Sequence, residues 1–374
     1  RPDPIPARPA RAFRPSCFPK RRVVRAGGPA NRFAPRGRRA LDRFIVGTGR
    51  CGSTLLSRML ACSPAVASVF EFFNGLDVAR RFHPEPVTGA AFADLIGRDQ
   101  PFLTAVLKRG FDLPEVAYPF GRGRYVRGEP LPWILVGVLS RLFDEPDAAF
   151  DDAMAWAAGR PLRPLAVHYR SFFDWLVARS GREVWIERSG SSLDYLGSLH
   201  RLFPDARFVH LHRDGREVAL SMREFPGYRL PVALLYRAPL ADGAPPPEPA
   251  AIDWQAPPRP DDPLTRILAS PPAPEVFGRY WSDQICAGLT AAEAIPPERM
   301  LAIRFEDLVA KPGEVLRRLC AFFDLDADRD GWTGRAAALV RGAPPRRSLR
   351  LEKEARARLD AACRPGRERL AGGG

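Results

Sequence analysis

Between residues 47 and 54 the chain reads Gly-Thr-Gly-Arg-Cys-Gly-Ser-Thr, a set of residue types suited to holding an anion. Glycines at 47, 49 and 52 let a backbone approach a ligand closely. Ser53 and Thr54 can cap a helix or donate to oxygens, and Arg50 adds a permanent cation with a planar fork. A second basic cluster, His212-Arg213-Asp214-Gly215-Arg216, lies far along the chain, and a lone carboxylate, Glu71, closes an apolar stretch. Two cationic sites suit the two ends of one polyanion. A carboxylate beside them is electrostatically unfavourable unless it has work to do, and taking a proton from a nucleophile is such work.

The flanking segments say how these residues are brought together. Arg43–Gly47 is a run of β-formers, followed after the glycine loop by Leu55, Leu56, Met59 and Leu60 at helical spacing. That order of strand, loop and helix puts free N–H groups and the positive end of a helix at the loop. Ala65–Phe70 reads as a second strand, closing a βαβ unit and making a parallel sheet the default. Further strands are predicted at Glu183–Glu187, Arg207–Leu211 and Leu301–Phe305. In a parallel sheet the carboxyl ends share one edge, so the first loop, Glu71 and Arg213 are expected there together. The predicted fold is α/β, a three-layer doubly wound parallel sheet with a P-loop-like strand-loop-helix. Asp214 is read as a helix cap, Arg216 and Glu217 as solvated helix charges, and the His210/His212 pair as packing. A nucleotide kinase loop would carry lysine directly after its last glycine, where this chain has Ser53, so ATP-dependent phosphoryl transfer is the second reading.

The 374 residues, 45% hydrophobic, suffice for a full globular core. The expected organisation is a disordered basic arm over 1–40, an α/β domain over 41–343 and a basic, frayed tail over 344–374. Within the domain, residues 72–164 look like a helical insertion and the proline-rich 241–275 like an excursion or lid. Net charge is +14, yet the first 43 residues hold 13 Lys or Arg against Asp3 and Asp42. The body is therefore nearly neutral and is not read as a nucleic-acid binder. Lysine occurs only at 20, 108, 311 and 353, so the basicity is a bias toward arginine. Six cysteines make no CxxC pair, and no secretory or membrane-spanning stretch is seen, which together suggest a reduced cytoplasmic chain.

On these motifs the chain resembles the PAPS-dependent sulfotransferases, particularly their bacterial and tyrosylprotein sulfotransferase-like branches. PAPS is 3'-phosphoadenosine 5'-phosphosulfate, and PAP is its desulfated product. The family's 5'-phosphosulfate loop is similar to Gly49-Arg50-Cys51-Gly52-Ser53-Thr54-Leu55-Leu56, and its 3'-phosphate motif to Arg213-Asp214-Gly215-Arg216-Glu217-Val218-Ala219-Leu220-Ser221. Arg304–Val309 with Pro312 and the segment Phe322–Leu325 resemble its late strand and closing helix.

The resemblance implies that Gly49, Arg50, Cys51, Gly52, Ser53 and Thr54 hold the phosphosulfate, while Arg213 and Ser221 hold the 3'-phosphate. It further implies that Glu71 is the general base. Arg188 falls where relatives carry a lysine that steadies the sulfuryl group, Cys51 replaces a usual serine, and Phe305 a frequent tyrosine. The implied reaction moves a sulfuryl group from PAPS to a hydroxyl, or an amine, of a small-molecule, carbohydrate or peptide acceptor, with no metal. A noncatalytic nucleotide- or anion-binding protein is the other alternative; the oligomeric state is not legible.

Overall fold

The computed structural model describes residues 41–240 and 242–372; the basic arm expected over 1–40 lies outside them. Five strands form one sheet: β1 (Arg43–Val46), β2 (Val66–Phe70), β3 (Val184–Arg188), β4 (Arg207–His212) and β5 (Met300–Arg304). They pair in the order β2-β3-β1-β4-β5, every pair parallel. Each predicted strand is present within one or two residues. The βαβ unit expected from β1 and β2 is spread wider, because β3 inserts between them.

The strands are apolar runs because both faces are covered. Phe44 and Val46 of β1 join a core with the insertion on one side, while Ile45 joins the opposite core with Leu56, Met59 and Leu316. The chain is thus an α/β protein with helices on both faces of a parallel sheet. Connections from β1 and from β3 leave in opposite directions, which places the topological switch beside β1 and opens a crevice at the carboxyl ends. Register fixes what meets there. Phe70 pairs with Arg188, Arg188 with Ile45, and Ile45 with Val209, so these four residues form one row across the sheet. Glu71, Ser189 and Gly47 lie just beyond that row.

The insertion contains helices at Gly89–Gly97, Pro101–Lys108 and Pro146–Ala158, and a π-helical turn at Leu135–Leu139. Gly137 of that turn lies against the backbone of β2: an added Cβ would stand 2.8 Å from the Phe70 carbonyl oxygen and 3.7 Å from Cβ of Glu71. A widened helical turn lets the backbone come that close. Over 242–273 the chain is mostly irregular, with a 3-10 turn at Pro249–Ala251 and a short α-helix at Pro263–Ala269. Among the described residues no helix is long and apolar enough to cross a membrane.

The carboxyl-terminal segment differs from the frayed tail expected of its composition. Lys353–Ala362 and Arg364–Gly372 are helices, and Leu359 and Cys363 are fully buried. They pack on the helix Pro274–Ala292, whose Trp281 is fully buried and lies so close to Gly215 and Gly366 that neither position has room for a Cβ. Glu217 is not a solvated charge either. It is buried and accepts hydrogen bonds from the backbone N–H of Arg347 (2.8 Å) and Ser348 (3.1 Å) and from the Ser348 hydroxyl (2.7 Å). The charge density of 344–372 hid a buried stripe only a few residues wide. These contacts brace the helix Gly215–Glu224 that follows β4. A chain ending at Glu352 should therefore unfold at lower denaturant concentration; a truncated protein with unchanged midpoint would show the terminal helices to be dispensable.

Candidate donor and transfer site

The loop after β1 turns through left-handed backbone at Gly49, Arg50 and Gly52 (φ 74°, 51° and 99°). The glycines serve the protein more directly than the close ligand approach expected of them. A Cβ on Gly49 would stand 1.7 Å from the Tyr228 hydroxyl oxygen, and one on Gly52 2.1 Å from the Phe305 ring. The helix Ser53–Ala61 then begins with Gly52 at its N-cap, no side chain capping it and no acid in its first turn. Its positive end is left for another acceptor. Cys51 is fully buried in the core and Thr54 is exposed, so of the Cys51 side chain nothing reaches the crevice.

Arg50 joins the two basic motifs. Its Nε donates to the Ser221 hydroxyl (3.2 Å), and its carbonyl oxygen lies 3.5 Å from Nη1 of Arg213. Arg213 lies over the Phe305 ring (4.6 Å to the centroid) and Arg50 over Phe225 (4.5 Å). Burial pulls the Arg213 guanidinium below its ordinary pKa, with the Glu217 carboxylate acting the other way. Arg213 and Ser221 are thus near each other through Arg50 rather than by direct contact. Asp214 caps its helix by accepting from the Arg216 N–H (3.0 Å), as expected.

Glu71 adopts φ 54°, a conformation that L-residues hold only when their surroundings enforce it. Its N–H donates to the Arg188 carbonyl (2.7 Å), and its own carbonyl accepts from the Trp133 indole. The carboxylate accepts from Arg188 Nη1, from Asn74 Nδ2 (2.6 Å) and from the Gly190 N–H (2.9 Å). Tyr195 holds Asn74 in turn through its carboxamide oxygen (2.8 Å). Arg188 is 1% exposed, donates Nε to Ser57 (2.9 Å) and leaves Nη2 buried without a partner. A buried guanidinium N–H with no acceptor is what an anionic group would satisfy.

Several residues at this edge were not legible from the motifs. Gly190 and Ser191 follow β3 and stand on the loop after β1: the Ser191 hydroxyl lies 2.9 Å from that of Tyr228 and 3.3 Å from the Thr48 carbonyl. The rule that strand ends share an edge could have found them. Asn74 carried no such signal, nor did Glu115 of the insertion, whose carboxylate lies 3.5 Å from Arg50; Trp133 stood out only as one of several insertion aromatics that could line an acceptor pocket or fill the insertion's own core. Burial raises the Glu115 carboxyl, and Arg50 partly offsets it.

The sulfotransferase family model matches residues 140–233 and 271–329, which include β3, β4, the Arg213–Ser221 motif and β5. No protein of curated function matches the chain in sequence. Similar solved structures include the sulfotransferase domain of the olefin synthase of Synechococcus PCC 7002, at 18% identity over 88% of this chain and 89% of that one, TM-score 0.40. Others are a sulfotransferase from Mycobacterium avium, at 17% identity over 86% and 75%, TM-score 0.41, and one from Alicyclobacillus acidocaldarius, at 16% over 89% and 95%, TM-score 0.38.

Glu187, directly before Arg188, gives this site a pH signature. It is 1% exposed, accepts from the Ser189 hydroxyl (2.5 Å), and burial raises its carboxyl to about 8. The folded chain then holds a proton that the unfolded chain has released, so this group lowers stability progressively as pH rises from its ordinary value of 4.5 through about 8. Glu187→Gln should flatten that decline in denaturant melts between pH 5 and pH 8.5. Parallel curves for the variant and the parent would place Glu187's charge elsewhere.

Proposed function

We propose that the chain, whose residues 140–233 and 271–329 match the sulfotransferase family model, takes the sulfuryl group from PAPS and delivers it to an acceptor hydroxyl, with Glu71 as the base. The observation that carries the reading is the joining of the two anion motifs by Arg50, which puts the uncapped helix start, Arg50, Arg213 and Ser221 at one end of the sheet. A ligand with a phosphosulfate at one end and a phosphate at the other matches that spread of positive charge.

In the reaction the acceptor oxygen attacks sulfur as its proton passes to the Glu71 carboxylate. The new O–S bond forms while the bond from sulfur to the bridging phosphate oxygen breaks, and the electron pair leaves with PAP. A carboxylate offers roughly four lone-pair positions, and Arg188, Asn74 and Gly190 use three. One remains for an incoming hydroxyl. The departing phosphate gains charge, which Arg50, the loop N–H groups and the unpartnered Nη2 of Arg188 are suited to stabilise. Positioning and charge do the catalytic work, as in phosphoryl transfer. The insertion supplies one wall of the crevice through Trp133 and Glu115 and is where an acceptor would be selected. Among the described residues the cysteines are free, which suits a reducing cytoplasm.

Glu71→Gln keeps the shape of the side chain and removes the base. It should cut the single-turnover rate of radiolabelled sulfuryl transfer from PAPS by about 10²- to 10⁴-fold, the usual weight of a general base, while PAP still binds. A variant with full activity would take Glu71 out of the mechanism.

A further inference from the structure

Arg50, the cation that joins the two anion motifs, is itself met by a carboxylate of the insertion. Its Nε is on Ser221, and its Nη1 lies 3.5 Å from Oε1 of Glu115, the two side chains being 29% and 18% exposed. Two ties hold Glu115 there. The N–H of Ala117, two residues on, donates to the Val136 carbonyl (3.2 Å) of the π-helical turn, and the Glu115 carbonyl accepts from Arg141 Nη2 (2.8 Å). The turn whose Gly137 lies against Phe70 and Glu71 therefore also sets where Glu115 stands.

That carboxylate is only partly compensated. Oε2 is buried with no hydrogen-bond partner among the described residues, and the contact from Oε1 to Arg50 is at the outer limit of a hydrogen bond. The charged groups around it are Arg50 on the loop after β1, Glu71 at the end of β2, Arg188 at the end of β3 and Arg141 within the insertion. Burial raises its carboxyl, Arg50 opposes this, Glu71 adds to it, and its own N–H and Arg188 act with Arg50. Two arginines thus serve two carboxylates, Arg188 closely with Glu71 and Arg50 loosely with Glu115.

An anion on Arg50 upsets this arrangement. It competes for the cation nearest Glu115 and sets a further negative charge beside a carboxylate that already has Glu71 for a neighbour. Where like charges crowd a poorly solvated site, one of them takes a proton. Glu71 keeps its charge through Arg188, Asn74 and the Gly190 N–H, which leaves Glu115 as the group to be neutralised. We propose that Glu115 is a further residue of the donor site, taking up a proton as the 5'-anion of the nucleotide binds Arg50, so that the ligand is held by the arginine and not opposed by the carboxylate. The proposal rests on the PAPS reading, which puts that anion on Arg50. Because the free chain's Glu115 releases its proton at lower pH than the complex does, PAP affinity falls as pH rises.

The test is calorimetric titration of the full chain with PAP between pH 6 and pH 9, each pH in two buffers of different ionisation enthalpy, which counts the protons taken up per PAP bound. Glu115→Gln, neutral and of the same shape, is measured beside the parent so that the ionisation of PAP itself cancels. The parent should take up more protons than the variant within this range, and at its upper end the variant should bind PAP about tenfold or more tightly, the equivalent of a one-unit pKa shift between free and bound chain. Glu115→Asp, which still titrates, should restore the uptake. Equal proton counts in the parent and Glu115→Gln would overturn the proposal while leaving PAP binding intact. So would a Glu115→Gln variant that binds PAP more weakly at every pH, the result if Glu115 only steadied Arg50. A parent chain that binds no PAP would overturn the donor reading and the proposal with it.

Discussion

The buried ion pair between Glu71 and Arg188 is the constraint around which this end of the sheet is arranged. With side chains 10% and 1% exposed, neither charge is screened by water. Removing one partner of such a pair costs about 3–5 kcal/mol because the other is left uncompensated. The pair also sets position. Arg188 is fixed by its register opposite Phe70 and Ile45, and it draws the Glu71 carboxylate toward the β3 end and the loop of β1. The left-handed backbone at Glu71 persists because Trp133, Asn74, Gly190 and the Arg188 carbonyl hold it from every side. Strain concentrated at one polar residue of a crevice, opposed by a full set of hydrogen bonds, is the arrangement expected of a preorganised reactive group.

The opposite half of the crevice depends on packing rather than on charge pairing. Arg213 and Ser221 keep their places because the helix between them is pressed by Trp281 and tied through Glu217 to residues 347 and 348. The last helix closes over the same tryptophan through Gly366, and the helix before it packs Leu359 and Ala362 beside Gly278. Residues more than a hundred positions away in sequence thus determine where the Arg213–Ser221 segment sits. Arg50 then converts two separately built motifs into one continuous basic surface, with its side chain on Ser221 and its carbonyl beside Arg213.

How much of this was readable in advance follows from the range of each interaction. The five strands were legible because runs such as Phe44-Ile45-Val46 and Phe208-Val209 are apolar on both faces, a local signal. The glycine loop and the Arg213 motif were legible because a strand-to-helix junction confines its chemistry to a few consecutive residues. What was not legible is long-range. β3 entering between β1 and β2 cannot be told from the βαβ order alone. Asn74, Trp133 and Glu115 meet Glu71 or Arg50 only through the folding of the insertion, and no spacing in the chain encodes those meetings. The buried role of Glu217 and the packed terminal helices were hidden by the charge around them.

Whether the crevice reads a phosphate at both ends of a nucleotide is decided by calorimetric titration of the full chain with PAP, ADP and ATP plus Mg²⁺. PAP should bind more tightly than ADP by about tenfold or more, the usual weight of one additional charge-assisted phosphate contact. Preference for ATP with Mg²⁺, or equal affinity for PAP and ADP, would contradict it.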